Sequence, residues 1–270
     1  MTPTTPWNRL LLAALCFLGS LLLGATVALA DTADTIARVK PSVVIVGTFA
    51  PLRSPRFVLR GTGFVVGKGN WAVTNAHVIP EGADLEPDAK LVVQVRTNPK
   101  GLTGQDDLNM RQATVLEVDK LHDLALLQFD GAPVPPMALR NSDTVREGQS
   151  VAFMGFPIGG VLGYSAVTHR GMVSSITPIA LPTGTAQQLN ARTIASLRNG
   201  TFNIFQLDAT AYPGNSGGPL FDPETGEVVG IINMVFIKAT KESLLSQPSG
   251  ISYAIPANFV IQMLQKQGLN

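Results

Sequence analysis

An all-β fold of two barrels closed by a short terminal helix is what the sequence predicts, and three observations predict it. About a dozen short runs rich in Val, Ile and Phe recur between turn residues, the spacing of a sandwich or barrel. The stretch Ala132-Pro133-Val134-Pro135-Pro136 divides these runs into halves of about six and reads as a linker between two barrels. Helical periodicity is convincing only at the end, where Phe259, Val260, Met263 and Leu264 recur at i, i+1, i+4 and i+5 after Pro256 and Asn258.

Taken in order, residues 1–30 come first. Met1–Arg9 carry one Arg, Leu10–Leu29 is apolar almost without break, and Ala28-Leu29-Ala30 before Asp31 has the small-x-small pattern of a signal-peptidase site. The segment is therefore an export signal or, uncleaved, an N-terminal membrane anchor, since about 20 apolar residues suffice to span a bilayer. Residues 31–270 form the folded part. The first half holds the runs Ser42–Val46, Phe64–Val66, Trp71–Thr74, Leu91–Arg96, Ala113–Val118 and Leu124–Phe129, a barrel over about 41–132. The second holds Ser150–Met154, Ala166–Ile176 (broken at Gly171), Asn203–Leu207, Glu227–Ile237 and Ile251–Ile255, a barrel over about 148–256, with the helix over about 258–267. Thr97–Gln112, Thr177–Phe202 and Lys238–Gly250 read as long polar loops, a length usually tied to function.

Composition narrows the function. Twenty Lys and Arg face 19 Asp and Glu, and Arg9 is the one charged side chain in residues 1–30, so the rest of the chain is balanced. That balance argues against a nucleic-acid partner held by bulk charge. The single Cys16 lies in the leader, so the exported chain has no disulfide, thiolate ligand or thiol nucleophile. His77, His122 and His169 show no metal-binding spacing, and neither metal nor cofactor is expected.

Chemistry concentrates in Asp208-Ala-Thr-Ala-Tyr-Pro-Gly-Asn-Ser-Gly-Gly-Pro-Leu220, which sets Ser216 in a Gly-rich turn. Glycine admits backbone conformations closed to other residues, so the amides of Gly214 and Ser216 can converge on one point beside the hydroxyl, as an oxyanion site requires. Gly214-Asn-Ser-Gly-Gly218 also matches the nucleophile elbow of α/β hydrolases, but an elbow is followed by a helix and later a histidine. Here Gly217-Gly218-Pro219 opens no helix and no histidine follows His169, which excludes that class. Gly61-Thr-Gly63-Phe-Val-Val-Gly67 has Val66 where a dinucleotide fingerprint needs glycine. A serine needs an imidazole to take its proton and a carboxylate to hold the imidazole. His77, at the end of Trp71-Ala-Val-Thr-Asn75, and Asp123, at the start of a buried run, are the candidates.

Thr74-Asn75-Ala76-His77-Val78, His122-Asp123-Leu124-Ala125-Leu126-Leu127 and Pro213-Gly214-Asn215-Ser216-Gly217-Gly218-Pro219-Leu220, in that order, resemble the HtrA/DegP-like branch of the trypsin-like serine proteases. Lys40-Pro-Ser-Val-Val-Ile45, Gly61-Thr-Gly63-Phe64, Gly148–Gly155, Gly171-Met-Val-Ser174 and Ile251-Ser-Tyr-Ala-Ile-Pro256 extend the match. The resemblance implies two six-stranded antiparallel barrels with His77 as general base, Asp123 as its orienter, Ser216 as the acylated nucleophile and the Gly214 and Ser216 amides as oxyanion donors. It implies a serine endopeptidase of exported, unfolded or damaged polypeptides, periplasmic, secreted or membrane-tethered, and often a homotrimer. Thr210, Ala211, Asn233 and Val235 would line the primary pocket, where the lack of a carboxylate favours small or medium aliphatic residues. His122 and His169 would be surface or structural residues. No PDZ domain is expected, because little more than a helix follows Ile255. The competing expectation is a gated or non-catalytic protein of this fold that binds polypeptides as a chaperone does.

Overall fold

The computed structural model describes residues 31–81, 88–98, 107–160, 163–178, 202–234 and 250–269. The leader, Val235 and most of the two loops after Pro178 and Met234 lie outside them. Twelve antiparallel strands form two closed barrels within a unit spanning Thr32–Asn270. The first is ordered β1-β2-β3-β6-β5-β4, from β1 (Val43–Phe49), β2 (Phe57–Val66), β3 (Trp71–Thr74), β4 (Lys90–Asn98), β5 (Asp107–Asp119) and β6 (Leu124–Phe129). The second is ordered β10-β11-β12-β9-β8-β7, from β7 (Ser150–Gly155), β8 (Val167–Pro178), β9 (Asn203–Asp208), β10 (Pro219–Phe221), β11 (Val228–Asn233) and β12 (Ile251–Pro256). Helices α1 (Thr32–Val39) and α2 (Asn258–Lys266) flank them. Among the described residues no helix is long and apolar enough to cross a membrane.

The continuous apolar runs follow from burial on two faces. In β1, Val44 and Val46 point into the first barrel with Val65, Val93 and Leu127. The alternate residues Val43 and Ile45 join Phe64, Leu126, Met154, Phe221 and Ile231 in a core shared by both barrels. A period-two strand with both faces covered shows no polar alternation. A third cluster, with Phe153, Val173, Leu207 and Leu220, fills the second barrel.

Several boundaries differ from expectation, each for a local reason. Helix α1 packs Val39 and Ile36 on the shared core, and long-range bonds add to its hold, from Thr35 Oγ1 to Glu224 O (3.0 Å) and from Arg38 Nη2 to Thr225 O (2.9 Å). The three-residue β10 is too short for a pattern, and β2 begins at Phe57 rather than Phe64. Much of Thr97–Gln112 is strand, because β4 runs to Asn98 and β5 starts at Asp107. Strand β8 passes unbroken through Gly171, where a Cβ would lie 2.6 Å from that of Ala209, so the glycine admits Ala209 rather than ending the strand. The Pro-rich linker is tied to both barrels: Val134 N donates to Gly69 O (2.9 Å), Met137 N to Val65 O (2.8 Å) and Arg140 N to Val228 O (2.9 Å).

Arg140 Nη1 also donates to Asp222 Oδ2 at 3.0 Å. Burial pushes the Asp222 carboxyl upward, but bonds from the Glu224 and Thr225 amides and from Arg140 outweigh it and hold the group below the usual carboxylate range. A carboxylate with a depressed folded pKa stabilises above its unfolded value of about 3.9 and loses that contribution as pH falls through the folded value. Asp222→Asn is therefore expected to lower the melting temperature at pH 7, with the difference from wild type shrinking below about pH 4, as thermal unfolding across pH will record.

Candidate active site

Strand β3 ends at Thr74 and feeds a short 3-10 turn, Ala76–Val78, that carries His77. Asp123, immediately before β6, adopts a left-handed conformation with φ 54°, which aspartate tolerates better than most residues. The turn is fixed through its carbonyl, which accepts from Asn75 Nδ2 and Ala76 N, both at 3.0 Å. The carboxylate then faces three donors. His77 N donates to Oδ1 at 2.9 Å, while His77 Nδ1 at 2.6 Å and Asn233 Nδ2 at 2.8 Å meet Oδ2. Asp123 is only 7% exposed and Asn233 is fully buried, so the charge is desolvated and held by hydrogen bonds from both barrels. With its Nδ1–H on the carboxylate, His77 keeps a lone pair on Nε2, the form that can accept a proton.

Ser216 lies in the turn between β9 and β10, with Gly214 at φ 101° and Gly217 at φ 85°. Three amides of the turn are used internally: Asn215 N donates to Tyr212 O (3.0 Å), Gly217 N to Ile232 O (2.9 Å) and Gly218 N to Asn215 O (2.9 Å). The amides of Gly214 and Ser216 have no acceptor among the described residues, which leaves the two expected oxyanion donors unspent.

Thr62 docks this turn on the first barrel. Its N donates to Ser216 O (2.9 Å), its Oγ1 donates to Gly214 O (2.6 Å) and accepts from Phe156 N (3.1 Å), and its O accepts from Thr74 Oγ1 (2.7 Å). One buried threonine thus joins the serine turn to the strand that delivers His77. The sequence marked Gly61-Thr-Gly63 by resemblance alone and gave Thr62 no role.

The remaining predicted residues fall as follows. Ala211, 8% exposed, and Thr210 lie on the segment rising from β9 to the turn, where Ala211 N donates to Ser252 Oγ (2.9 Å) and Ser252 Oγ donates to Ala209 O (2.7 Å). Asn233, expected on the pocket wall, has its amide on Asp123 instead, and Val235 lies outside the described residues. His122 turns away: its Nδ1 pairs with Asp119 Oδ2 at 2.6 Å and its ring stacks on Phe259 of α2 at 3.8 Å, tying the β5–β6 turn to that helix. Among the described residues no group of three His, Cys, Asp or Glu could hold a metal ion.

Paired six-stranded barrels with the histidine on one and the serine turn on the other define the trypsin-like peptidase class. Residues 61–231, more than half the chain, match the family described as trypsin-like peptidase domain, and the chain belongs to it. Relatives include serine protease HTRA2, mitochondrial, of Drosophila pseudoobscura pseudoobscura, 32% identical over 206 residues that cover 76% of this chain and 38% of that protein. They include a probable periplasmic serine endoprotease DegP-like of Pseudomonas savastanoi pv. phaseolicola (30%, covering 75% and 33%) and serine protease HTRA3 of Rattus norvegicus (29%, covering 87% and 44%). The chain spans less than half the length of these relatives. The solved HtrA-type protease AlgW with a tripeptide superposes with a TM-score of 0.59 at 25% identity, covering 87% of this chain and 63% of that one.

Gly217 is the tightest point of the turn: a Cβ there would lie 2.1 Å from Thr62 O and 2.3 Å from Thr74 Oγ1, at a positive φ. Gly217→Ala is expected to cost about 1–3 kcal/mol of stability, the range for overpacking, measurable by denaturant unfolding.

Proposed function

We propose that the protein is a serine endopeptidase of the HtrA-like kind, acting on exported, unfolded polypeptides. The observation that carries this reading is the buried Asp123 carboxylate, which faces His77 Nδ1 at 2.6 Å and leaves Nε2 as the ring nitrogen that can accept a proton. In this mechanism His77 takes the proton of Ser216 Oγ as the oxygen attacks the scissile carbonyl. The carbonyl oxygen, now negative, is held by the amides of Gly214 and Ser216. His77 then gives its proton to the leaving amine, the acyl-enzyme remains on Ser216, and water activated by His77 releases the acid. Asp123 keeps the imidazole in its productive tautomer and balances the imidazolium. The leader and the DegP-like relatives support an exported, periplasmic setting.

Digestion of casein by the purified protein, run beside Ser216→Ala, tests the reading. Cleavage by wild type alone is expected, with fluorophosphonate labelling of Ser216. Binding of unfolded casein with neither cleavage nor labelling would favour a polypeptide binder instead.

Asn233 gives a sharper prediction. A hydrogen bond to a charged group contributes about 1.5–3 kcal/mol. Asn233→Ala should therefore lower kcat by about 10- to 100-fold with little change in KM, because the lost bond supports the charge that His77 acquires during the reaction.

A further inference from the structure

Each amide of the oxyanion pair shares a peptide unit with the carbonyl of the residue before it: Gly214 N with Pro213 O, and Ser216 N with Asn215 O. Both units are trans. A trans peptide is planar and sends its C=O and N–H in opposite directions, so whatever holds the carbonyl also aims the amide. Asn215 O is held inside the serine turn, by Gly218 N at 2.9 Å. Pro213 O is held from outside it, by Ile158 N at 2.7 Å. Ile158 stands in the short turn Pro157–Gly160 that follows β7. One donor is thus aimed by its own turn and the other by a neighbouring one.

The backbone of Ile158 is left-handed, φ 58°, a genuine outlier for a β-branched residue. Burial does not account for it, since the side chain is 45% exposed. Such a conformation persists where its surroundings over-determine it. Here the residues leading up to it lie along the serine turn. At Gly155 a Cβ would come 2.7 Å from Asn215 Oδ1, and Phe156 N donates at 3.1 Å to Thr62 Oγ1, the hydroxyl that itself donates to Gly214 O at 2.6 Å. We propose that Ile158 is a positioning residue, its backbone N–H holding Pro213 O and so aiming the Gly214 N–H at the oxyanion formed on the substrate carbonyl. This rests on the endopeptidase reading. Without that bond the Pro213–Gly214 unit can turn over, because Gly214, at φ 101°, has no side chain to resist the rotation. A reversed unit would present a carbonyl oxygen in place of the amide, and the negative charge would lose one of its two donors.

The test replaces Ile158 by the α-hydroxy acid of the same side chain, which turns its amide N–H into an ester oxygen and leaves the rest of the residue in place. Turnover is measured on a peptide spanning a casein cleavage site. The ester protein is expected to show a kcat about 10- to 100-fold lower with KM within about twofold of wild type. A second readout is a peptidyl trifluoromethyl ketone carrying carbon-13 at its carbonyl, to which Ser216 Oγ adds while its proton passes to His77. The hemiketal oxygen should take up a proton at a pH about one unit or more higher in the ester protein, a shift that a general loss of stability would not produce. Ile158→Gly keeps the N–H and adopts a positive φ readily, so it should rescue kcat to within about threefold of wild type. If the ester protein does not fold, the wild type decides: scalar coupling across the hydrogen bond from Ile158 N to the Pro213 carbonyl should be present and persist in the adduct, and its absence would overturn the proposal. An active wild type beside an ester protein with unchanged kcat and hemiketal titration, or an Ile158→Gly as impaired as the ester protein, would overturn this proposal alone. A wild type that neither cleaves nor forms the adduct would overturn the endopeptidase reading and this inference with it.

Discussion

A desolvated carboxylate is the constraint on which the rest of the site depends. An ionised side chain moved out of water is tolerated only where hydrogen bonds replace its hydration, and Asp123 finds them at His77 N, His77 Nδ1 and Asn233 Nδ2. Two of those donors come from the turn after β3 and one from the end of β11 in the other barrel. The charge is therefore solvated by a structure that exists only when the barrels are docked. Its backbone carbonyl is bound as well, by Asn75 and Ala76, so the acid and the histidine turn behave as one rigid unit.

Docking itself is apolar. Val43, Ile45, Phe64, Leu126 and Met137 from the first half meet Ala152, Met154, Phe221, Ile231 and Ile255 from the second in one shared core. Such packing is strong but weakly directional. Direction comes from Thr62, whose backbone and hydroxyl bind both Gly214 O and Ser216 O, and from Gly217, whose missing side chain lets the turn approach Thr62 O and Thr74. Apolar area holds the halves together, and a few short hydrogen bonds set the register in which the histidine and the serine turn meet.

Much of this was legible in the sequence where the signal is local. The apolar runs of β1, β3, β6 and β7 mark strands because burial on both faces leaves no polar alternation, and His77, Asp123 and the Ser216 turn stand in motifs whose chemistry is local. What was not legible depends on partners distant in the chain. Helix α1 is held by the carbonyls of Glu224 and Thr225, and β10 exists only because β7 and β11 flank it. Gly171 looks like a strand breaker until Ala209 is seen to fill its place. Asn233 was assigned to the pocket since its sequence neighbours say nothing of Asp123, 110 residues away.

The two helices explain how a seam that must hold the site is kept closed. Helix α1 precedes the first barrel but bonds to the β10–β11 turn of the second. Helix α2 follows the second barrel, adds Val260, Met263 and Leu264 to the shared core, and reaches β5 of the first, where Lys266 and Gln267 bond Glu117 and hold its carboxyl below the usual range. Each helix thus clasps the barrel that it does not adjoin in sequence. Separation of the barrels would have to release these bonds along with the shared core. For the proposed reaction, with His77 and Asp123 on one barrel and the Ser216 turn on the other, this docking is what converts a packing seam into a fixed geometry.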